Sequence, residues 1–292
     1  MNIIERIKKG EILIADGAIG TLLMQRGLKL GECPEIINLR QPDILEEIAQ
    51  LYLEAGAEII QTNTFGASPL RLSHSLLDEK TEEINRIAVQ AVRKAVGTTS
   101  FISASCGPSG KLLKPYGDTE PEAIRESFHR QFAVLIEEGI DTICIETMTD
   151  LTEATLAVRA AKALSSNVPV IATMTFDATP RGFFTIMGVT IEQAVKGLEQ
   201  AGADIIGSNC GNGIENMIRI AAEFKKFTCL PLIIQSNAGL PIMKDTTPFY
   251  PETPEFMAEK SKELVRLGVS IIGGCCGTTS AHIKAIRKAL KP

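Results

Sequence analysis

The chain has 292 residues, of which 45% are hydrophobic and 22% charged, so it can bury a sizeable core and does not read as a disordered chain. Its formal net charge of −5 argues against an electrostatic grip on nucleic acid or an anionic membrane, and no apolar run approaches the about 18 residues of a membrane span. The N-terminus, Met1-Asn2-Ile3-Ile4-Glu5-Arg6, lacks the features of a secretory signal, so a soluble cytoplasmic protein is expected.

Short β-branched runs alternate with longer stretches of helical period along the whole chain. The first half predicts strand Ile12–Ala15, helix Asp43–Ala55, strand Glu58–Thr62, helix Glu82–Val96, strand Ser100–Ser105, helix Pro121–Glu138, strand Asp141–Ile145 and helix Asp150–Leu164. The second half predicts strand Val168–Thr175, helix Ile191–Gln200, strand Asp204–Gly207, helix Ile214–Lys225, strand Leu232–Gln235, helix Pro254–Leu267, strand Ser270–Gly273 and helix Ser280–Leu290. Four helix-to-strand junctions repeat one phrase, with Gly56, Gly139, Gly202 and Gly268 just past a helix and an Ile-rich strand beginning two or three residues later. Eight βα units predict an α/β fold, a (β/α)8 TIM barrel forming a single domain over residues 1–292. The competing open, doubly wound sheet lacks its Gly-x-Gly-x-x-Gly after the first strand.

In a barrel, chemistry sits where the strands run out. Those positions carry Asp16-Gly17, Asn63-Thr64, Cys106-Gly107-Pro108-Ser109-Gly110, Glu146-Thr147, Phe176-Asp177, Asn209-Cys210, Ser236-Asn237 and Gly274-Cys275-Cys276-Gly277. Seven cysteines, an odd number, do not read as a disulfide framework. Cys210 ends strand six and Cys275-Cys276 ends strand eight, so one intervening strand separates them. Adjacent residues on a regular strand face opposite ways, so both sulfurs turn inward only if Gly273, Gly274 and Gly277 let the backbone turn. The pair then reads as metal ligands; otherwise it is a vicinal disulfide or two core cysteines. Three thiolates with an open fourth position would make a catalytic zinc site. Carrying a net single negative charge, such a centre suits holding a substrate thiol as thiolate for attack on an activated methyl group. Asp16 and Glu146 read either as partners of a substrate ammonium or as structural carboxylates. Asp150 reads as a helix N-cap; Cys33, Cys144 and Cys229 read as packing, and Cys106 as a weaker strand-end candidate.

The segments Asp16-Gly17-Ala18-Ile19-Gly20-Thr21, Gln61-Thr62-Asn63-Thr64-Phe65, Gly107-Pro108-Ser109-Gly110, Glu146-Thr147, Asn209-Cys210 and Gly273-Gly274-Cys275-Cys276-Gly277-Thr278 together resemble the homocysteine S-methyltransferase family, from about residue 11 to residue 288. The resemblance implies zinc on Cys210, Cys275 and Cys276, with homocysteine sulfur entering the open metal position. It implies Asp16 and Glu146 on the substrate's amino group, with Gly17, Ser105, Thr147 and Asn209 also among the substrate-binding residues. The backbone of Gly17–Thr21 and the loop Cys106–Gly110 would hold the carboxylate or shape the pocket.

Two stretches depart from the family pattern. Asn209-Cys210-Gly211-Asn212-Gly213-Ile214-Glu215 lacks the proline usual after Asn-Cys and adds Glu215, which leaves another thiol open as acceptor. Thr179–Gly188 carries Phe183-Phe184, read as a lid, a docking surface or a packed loop. No folate-binding barrel or corrinoid module follows within this sequence. The expected donor is therefore a small methyl-onium compound, or methylcobalamin carried by a separate corrinoid protein, unless the chain is an excised module. A non-catalytic methyl-handling partner is the remaining reading.

Overall fold

The computed structural model describes residues 1–29, 31–244 and 247–291. The described residues contain the eight predicted strands: β1 (Leu13–Ile14), β2 (Ile59–Gln61), β3 (Phe101–Cys106), β4 (Thr142–Met148), β5 (Val170–Met174), β6 (Ile205–Asn209), β7 (Leu232–Ser236) and β8 (Ile271–Gly274). All neighbours are parallel in the order β1-β8-β7-β6-β5-β4-β3-β2. The ring closes between β1 and β2, where Ala15 bridges Ile59 and Asp16 N–H donates to Ile59 O at 3.1 Å. Closure excludes the open doubly wound sheet and leaves a (β/α)8 barrel.

Eight helices follow the strands: α1 (Asp43–Glu54), α2 (Thr81–Val96), α3 (Pro121–Glu137), α4 (Leu151–Leu164), α5 (Ile191–Ala201), α6 (Ile214–Phe224), α7 (Pro254–Arg266) and α8 (Ser280–Leu290). In α1, Leu45, Ile48, Ala49 and Tyr52 are buried at helical spacing, which turns one face onto the sheet. The repeated glycines take positive φ at the junctions, 92° at Gly56, 77° at Gly139, 99° at Gly202 and 77° at Gly268, so each helix stops through a left-handed residue and drops into the next strand. Local sequence did not signal the short helices Ile19–Gln25, Ile36–Arg40 and Pro69–Leu72, or the antiparallel strand pairs Asp177–Thr179 with Gly182–Phe184 and Ile242–Lys244 with Thr247–Phe249, which decorate the loops.

Strand alternation sorts the residues into two sets. Ile14, Ile60, Ile102, Ile143, Ile145, Ile206, Leu232, Ile234 and Ile272 face the helices in one continuous core. Leu13, Ala15, Ile59, Cys144, Ile171, Ile205, Ile233 and Ile271 face inward and fill the lower barrel with Ile3. The helix Ile3–Lys8 plugs that end, with Ile4 and Ile7 packed on the inner cluster and Arg6 tied to Glu11 at 2.6 Å and Glu58 at 2.5 Å. Two residues further up, the same inward rows carry Gln61, Glu146, Thr173, Gly207 and Gln235, and Asn209 follows two residues beyond Gly207. The interior is thus apolar at the bottom and polar at the mouth, and the site is built on rigid strand ends. Among the described residues no helix is long and apolar enough to cross a membrane.

Candidate metal centre and functional site

β6 ends at Asn209, and Cys210 follows with φ +60°, a left-handed conformation costly for a residue with a side chain. Its N–H still bonds to Gln235 O at 3.1 Å, so the bend is anchored to β7. Beyond β8, Cys275 N–H continues the ladder to Ser236 O at 2.7 Å, and a turn closes as Thr278 N–H donates to Cys275 O at 3.1 Å. Gly277, with φ +79°, makes that turn and brings Cys276 round beside Cys275. Gly273 and Gly274, expected to bend the chain, instead belong to β8. They are needed for close approach: a Cβ on Gly273 would lie 2.8 Å from Ala15 Cβ and 2.9 Å from Asp16 O, and one on Gly274 would strike Thr278 Oγ1 at 2.2 Å.

The sulfurs of Cys210, Cys275 and Cys276 consequently lie within 4.8 Å of one another, with Cys210 Sγ and Cys276 Sγ at 3.7 Å. Bonds of about 2.3 Å in a tetrahedron give sulfur–sulfur edges of about 3.8 Å, so the cluster fits a zinc-sized ion. Asn237, just past the end of β7, keeps Oδ1 buried with no hydrogen-bond partner among the described residues, an oxygen available to a cation. The three thiols move one another's acidities in opposite directions. Donation from Cys275 and then Cys276 drives the Cys210 thiol down to about 3, and serving as donors to it pushes Cys275 well up and Cys276 up to about 11. That is the behaviour of a ligand set whose second and third deprotonations await a cation.

Beside the sulfurs lies a buried polar floor. Glu146, at an inward position of β4, accepts from Ser105 Oγ, from Gln61 Nε2 at 2.9 Å and from Asn209 Nδ2 at 3.1 Å. Asn209 is fixed in one orientation: Oδ1 accepts from Thr147 N–H at 2.8 Å and Thr173 Oγ1 at 2.8 Å, while Nδ2 faces Glu146, Thr147 Oγ1 at 2.8 Å and Cys275 Sγ at 4.0 Å. Thr147 has φ +59° at a register shift in β4, a second strained residue at the site. Asp16, fully buried, accepts Gln61 N–H at 2.8 Å on Oδ2 but has no hydrogen-bond partner among the described residues on Oδ1. Burial, reinforced by the Glu146 charge, pushes the Asp16 carboxyl up to about 8; burial raises Glu146 to about 7 against the bonds from Ser105 and Gln61. Two buried carboxyls so arranged need a cationic group in order to ionise together.

Gly17 lies between them and the metal cluster, where a Cβ would press on Thr278 Oγ1 at 2.7 Å and the Tyr52 hydroxyl at 2.9 Å. Tyr52 donates to Ala18 O at 3.0 Å and Ala18 N–H to Thr278 Oγ1 at 3.2 Å, locking the Asp16 loop onto the cysteine loop. Asp16, Ser105, Glu146, Thr147 and Asn209 are thus linked through Gln61 and Asn209 beside the cluster of Cys210, Cys275 and Cys276, whereas in the loop Cys106–Gly110 the Ser109 N–H turns to Glu153 at 2.7 Å. Sequence reasoning assigned no role to Gln61, Thr173, Asn237 or Tyr250. Counting two residues along each strand from the inner apolar layer would have found Gln61 and Thr173; Tyr250 carries no such signal.

Other expectations separate from the site. Asp150 caps α4, accepting from Thr152 N–H at 2.7 Å and Glu153 N–H at 3.3 Å. Cys106 is buried in the outer core and Cys144 in the inner one, whereas Cys229 is exposed, so its reading as packing is wrong. Glu215 points away from the metal cluster to Lys260 at 3.0 Å, because α6 begins at Ile214 and turns it toward α7. Phe183 lies under the Arg219 guanidinium at 5.2 Å, and the hairpin packs on α6.

The sequence pattern of the family described as Homocysteine S-methyltransferase matches residues 13–290. Methionine synthase of Mycobacterium tuberculosis is 31% identical over 296 aligned residues covering 96% of this chain, and that of Mycobacterium leprae is 30% identical over the same share. In both cases the chain spans only 24% of the relative's length. The metallated form of the homocysteine methyltransferase MmuM of Escherichia coli has the same fold, with a TM-score of 0.81 at 22% identity over 98% of this chain and 99% of that one. Its apo form gives 0.74 at 23% identity over 97% of each chain. With the family pattern running from the first barrel strand to the last helix, the chain belongs to the homocysteine S-methyltransferase family.

Proposed function

We propose that the protein is a zinc-dependent S-methyltransferase that moves a methyl group onto the sulfur of homocysteine, giving methionine. One juxtaposition carries the reading: a three-sulfur metal cluster and two buried carboxyls open on the same barrel mouth, with Asn209 touching both. Three sulfur donors favour zinc among the common ions, and zinc held there supplies the positive charge that keeps a substrate thiol deprotonated near neutral pH.

The chain's own residues do the rest. Cys210, Cys275 and Cys276 would hold the ion and leave its fourth position to the substrate's sulfur. Asp16 Oδ1 and the Glu146 carboxylate receive the substrate ammonium, whose charge lets both acids ionise together. Ser105, Gln61, Thr147 and Asn209 fix the direction of Glu146, and the locked Gly17–Thr21 backbone shapes the wall. Holding amino group and sulfur together would orient the sulfur for attack on an incoming methyl carbon. The new sulfur–carbon bond forms as the bond from methyl to its donor breaks, and that electron pair leaves with the donor. No histidine base is required, because the acceptor arrives at the step already deprotonated.

For the donor, we read a methylcobalamin-bearing protein ahead of a small methyl-onium compound. The mycobacterial relatives are named methionine synthase and extend far beyond the part matched here. Exposed apolar residues on loops after β3, β5 and β7, among them Leu112, Tyr116, Ile186, Leu240, Ile242 and Met243, are available at the mouth end for protein contact. Thiolate chemistry of this kind fits a reducing, cytoplasmic setting.

The test is turnover. Reduced, zinc-loaded protein is mixed with homocysteine and either a methylcobalamin-loaded corrinoid protein or a methyl-onium compound, and methionine is measured. Cys210→Ser, Cys275→Ser and Cys276→Ser are each expected to lose zinc and turnover together. Wild-type turnover by a zinc-free variant would refute the mechanism, and preference for another thiol in competition would move the acceptor.

A further inference from the structure

The chain leaves β6 through two consecutive left-handed residues, Cys210 at φ +60° and Gly211 at φ +74°. Gly211 takes this conformation without strain, and a Cβ on it would lie 2.7 Å from Thr175 Cγ2. Cys210 has a side chain and is strained there, so its surroundings must over-determine it. Asn212 supplies the restraint. Its N–H closes the turn on Cys210 O at 2.9 Å, and its own O accepts the Asn237 N–H at 3.0 Å. Its buried side chain donates from Nδ2 to Phe176 O at 2.6 Å and accepts on Oδ1 from Asn216 Nδ2 at 3.0 Å. One residue thus ties the Cys210 turn to the loops after β5 and β7 and to the first turn of α6. The far end of the same loop is clamped by Tyr250 to Glu252, a strap lying on the loops after β6, β7 and β8. Side chains beneath it have no room: a Cβ on Gly213 would strike Glu252 Oε1, one on Gly239 would lie 3.0 Å from the Pro251 ring, and one on Gly277 would strike Tyr250 Cγ. Glu252 Oε2 accepts the Ile214 N–H at 3.1 Å, and Glu252 N–H donates to Ala238 O at 2.9 Å, so Asn212 acts within a loop fixed at both ends.

We propose that Asn212 is a positioning residue of the metal centre, holding Cys210 in its left-handed conformation so that its sulfur faces those of Cys275 and Cys276. The inference rests on the reading of Cys210, Cys275 and Cys276 as metal ligands. Asn212 acts through the Cys210 backbone, and its side-chain bonds to Phe176 and Asn216 keep that backbone in place. It lies in the stretch Asn209–Glu215, where the sequence departs from the family pattern, so the device belongs to this chain's own version of the loop. Without those bonds Cys210 relaxes toward the right-handed region, and an arriving ion must itself impose the strained turn. Part of the binding free energy then goes into ordering the ligand, and affinity falls.

The experiment titrates the reduced full chain with cadmium(II), whose affinity for thiolates keeps even a two-sulfur site measurable, and reads the sulfur-to-cadmium charge-transfer band. Asn212→Leu removes the side-chain bonds at similar volume, and is compared in three backgrounds: wild type, Cys210→Ala and Cys275→Ala. It is expected to weaken cadmium binding about tenfold in the wild type and in Cys275→Ala. In Cys210→Ala, where the positioned residue no longer offers a sulfur, it is expected to change affinity by less than about twofold. A general loss of structure would not make that distinction. Asn216→Ala, which takes away the bond to Asn212 Oδ1, is expected to give the same pattern at about threefold, and carries the test if Asn212→Leu does not fold. Wild-type protein that shows no three-sulfur band fails the metal reading itself. Wild-type protein that shows it, with affinity unchanged by the substitutions or weakened equally in all three backgrounds, overturns the role of Asn212.

Discussion

Asp16 shows what the site costs the fold. Its carboxyl is buried with one oxygen unpartnered among the described residues, and burial lifts it from its ordinary 3.8 to about 8. Between those values the folded chain holds a proton that the unfolded chain has released, so this part of the stability is complete below about pH 4 and is lost as pH rises through about 8. Asp16→Asn has no such titration. In the absence of substrate it should therefore gain on the wild type as pH rises across that window, measured by denaturant unfolding at several pH values. The same change removes a charged partner of the substrate ammonium, worth about 1.5–3 kcal/mol, so homocysteine affinity should fall by about 10–100-fold at neutral pH. A variant that loses affinity with no pH-dependent gain in stability would mean that Asp16 is ionised in the fold. Function and stability pull oppositely on this residue.

At the scale of elements, the post-strand loops are held by helix caps as much as by the sheet. His282 illustrates it: Nδ1 accepts Thr279 N–H at 3.1 Å in a capping box on α8, which makes Nε2 the donor to Glu252 O on the strap at 3.0 Å. Burial lowers this imidazole from 6.5, against the Glu252 carbonyl and the Glu255 charge. Below 6.5 the unfolded chain binds a proton that the folded chain resists, so stability falls as pH drops through that region. His282→Ala should flatten that acid limb in thermal melts and cost about 0.5–2 kcal/mol at pH 7 through the lost cap. An unchanged acid limb would assign it to other groups.

Elements of this kind differ in how far they can be read from sequence. The Gly-then-Ile junctions are local and repeat, so strand and helix order followed from them, and Cys210 and Cys275-Cys276 were legible because they end buried strands. Tyr250 was not, because its place is set by three loops that are remote from it in sequence and that have given up their side chains to admit it. Glu215 misled for the converse reason: it sits five residues from Cys210 in sequence, but the start of α6 rotates it to Lys260.

For the molecule as a whole, the barrel's value is convergence. Residues as far apart in sequence as Asp16 and Cys276 meet because parallel strands end at one mouth, and the inward rows change from isoleucine to polar side chains as they approach it. The plugged lower end gives rigidity, and the mouth gives chemistry. At that mouth, three cysteine sulfurs would hold zinc and leave a position for the substrate's own sulfur. Zinc X-ray absorption on reduced protein, without and with homocysteine, tests it most directly. The account predicts three sulfurs and one lighter atom at the metal, becoming four sulfurs when homocysteine is added. Protein that binds no stoichiometric zinc after reconstitution, or a sulfur count that homocysteine does not change, would contradict it.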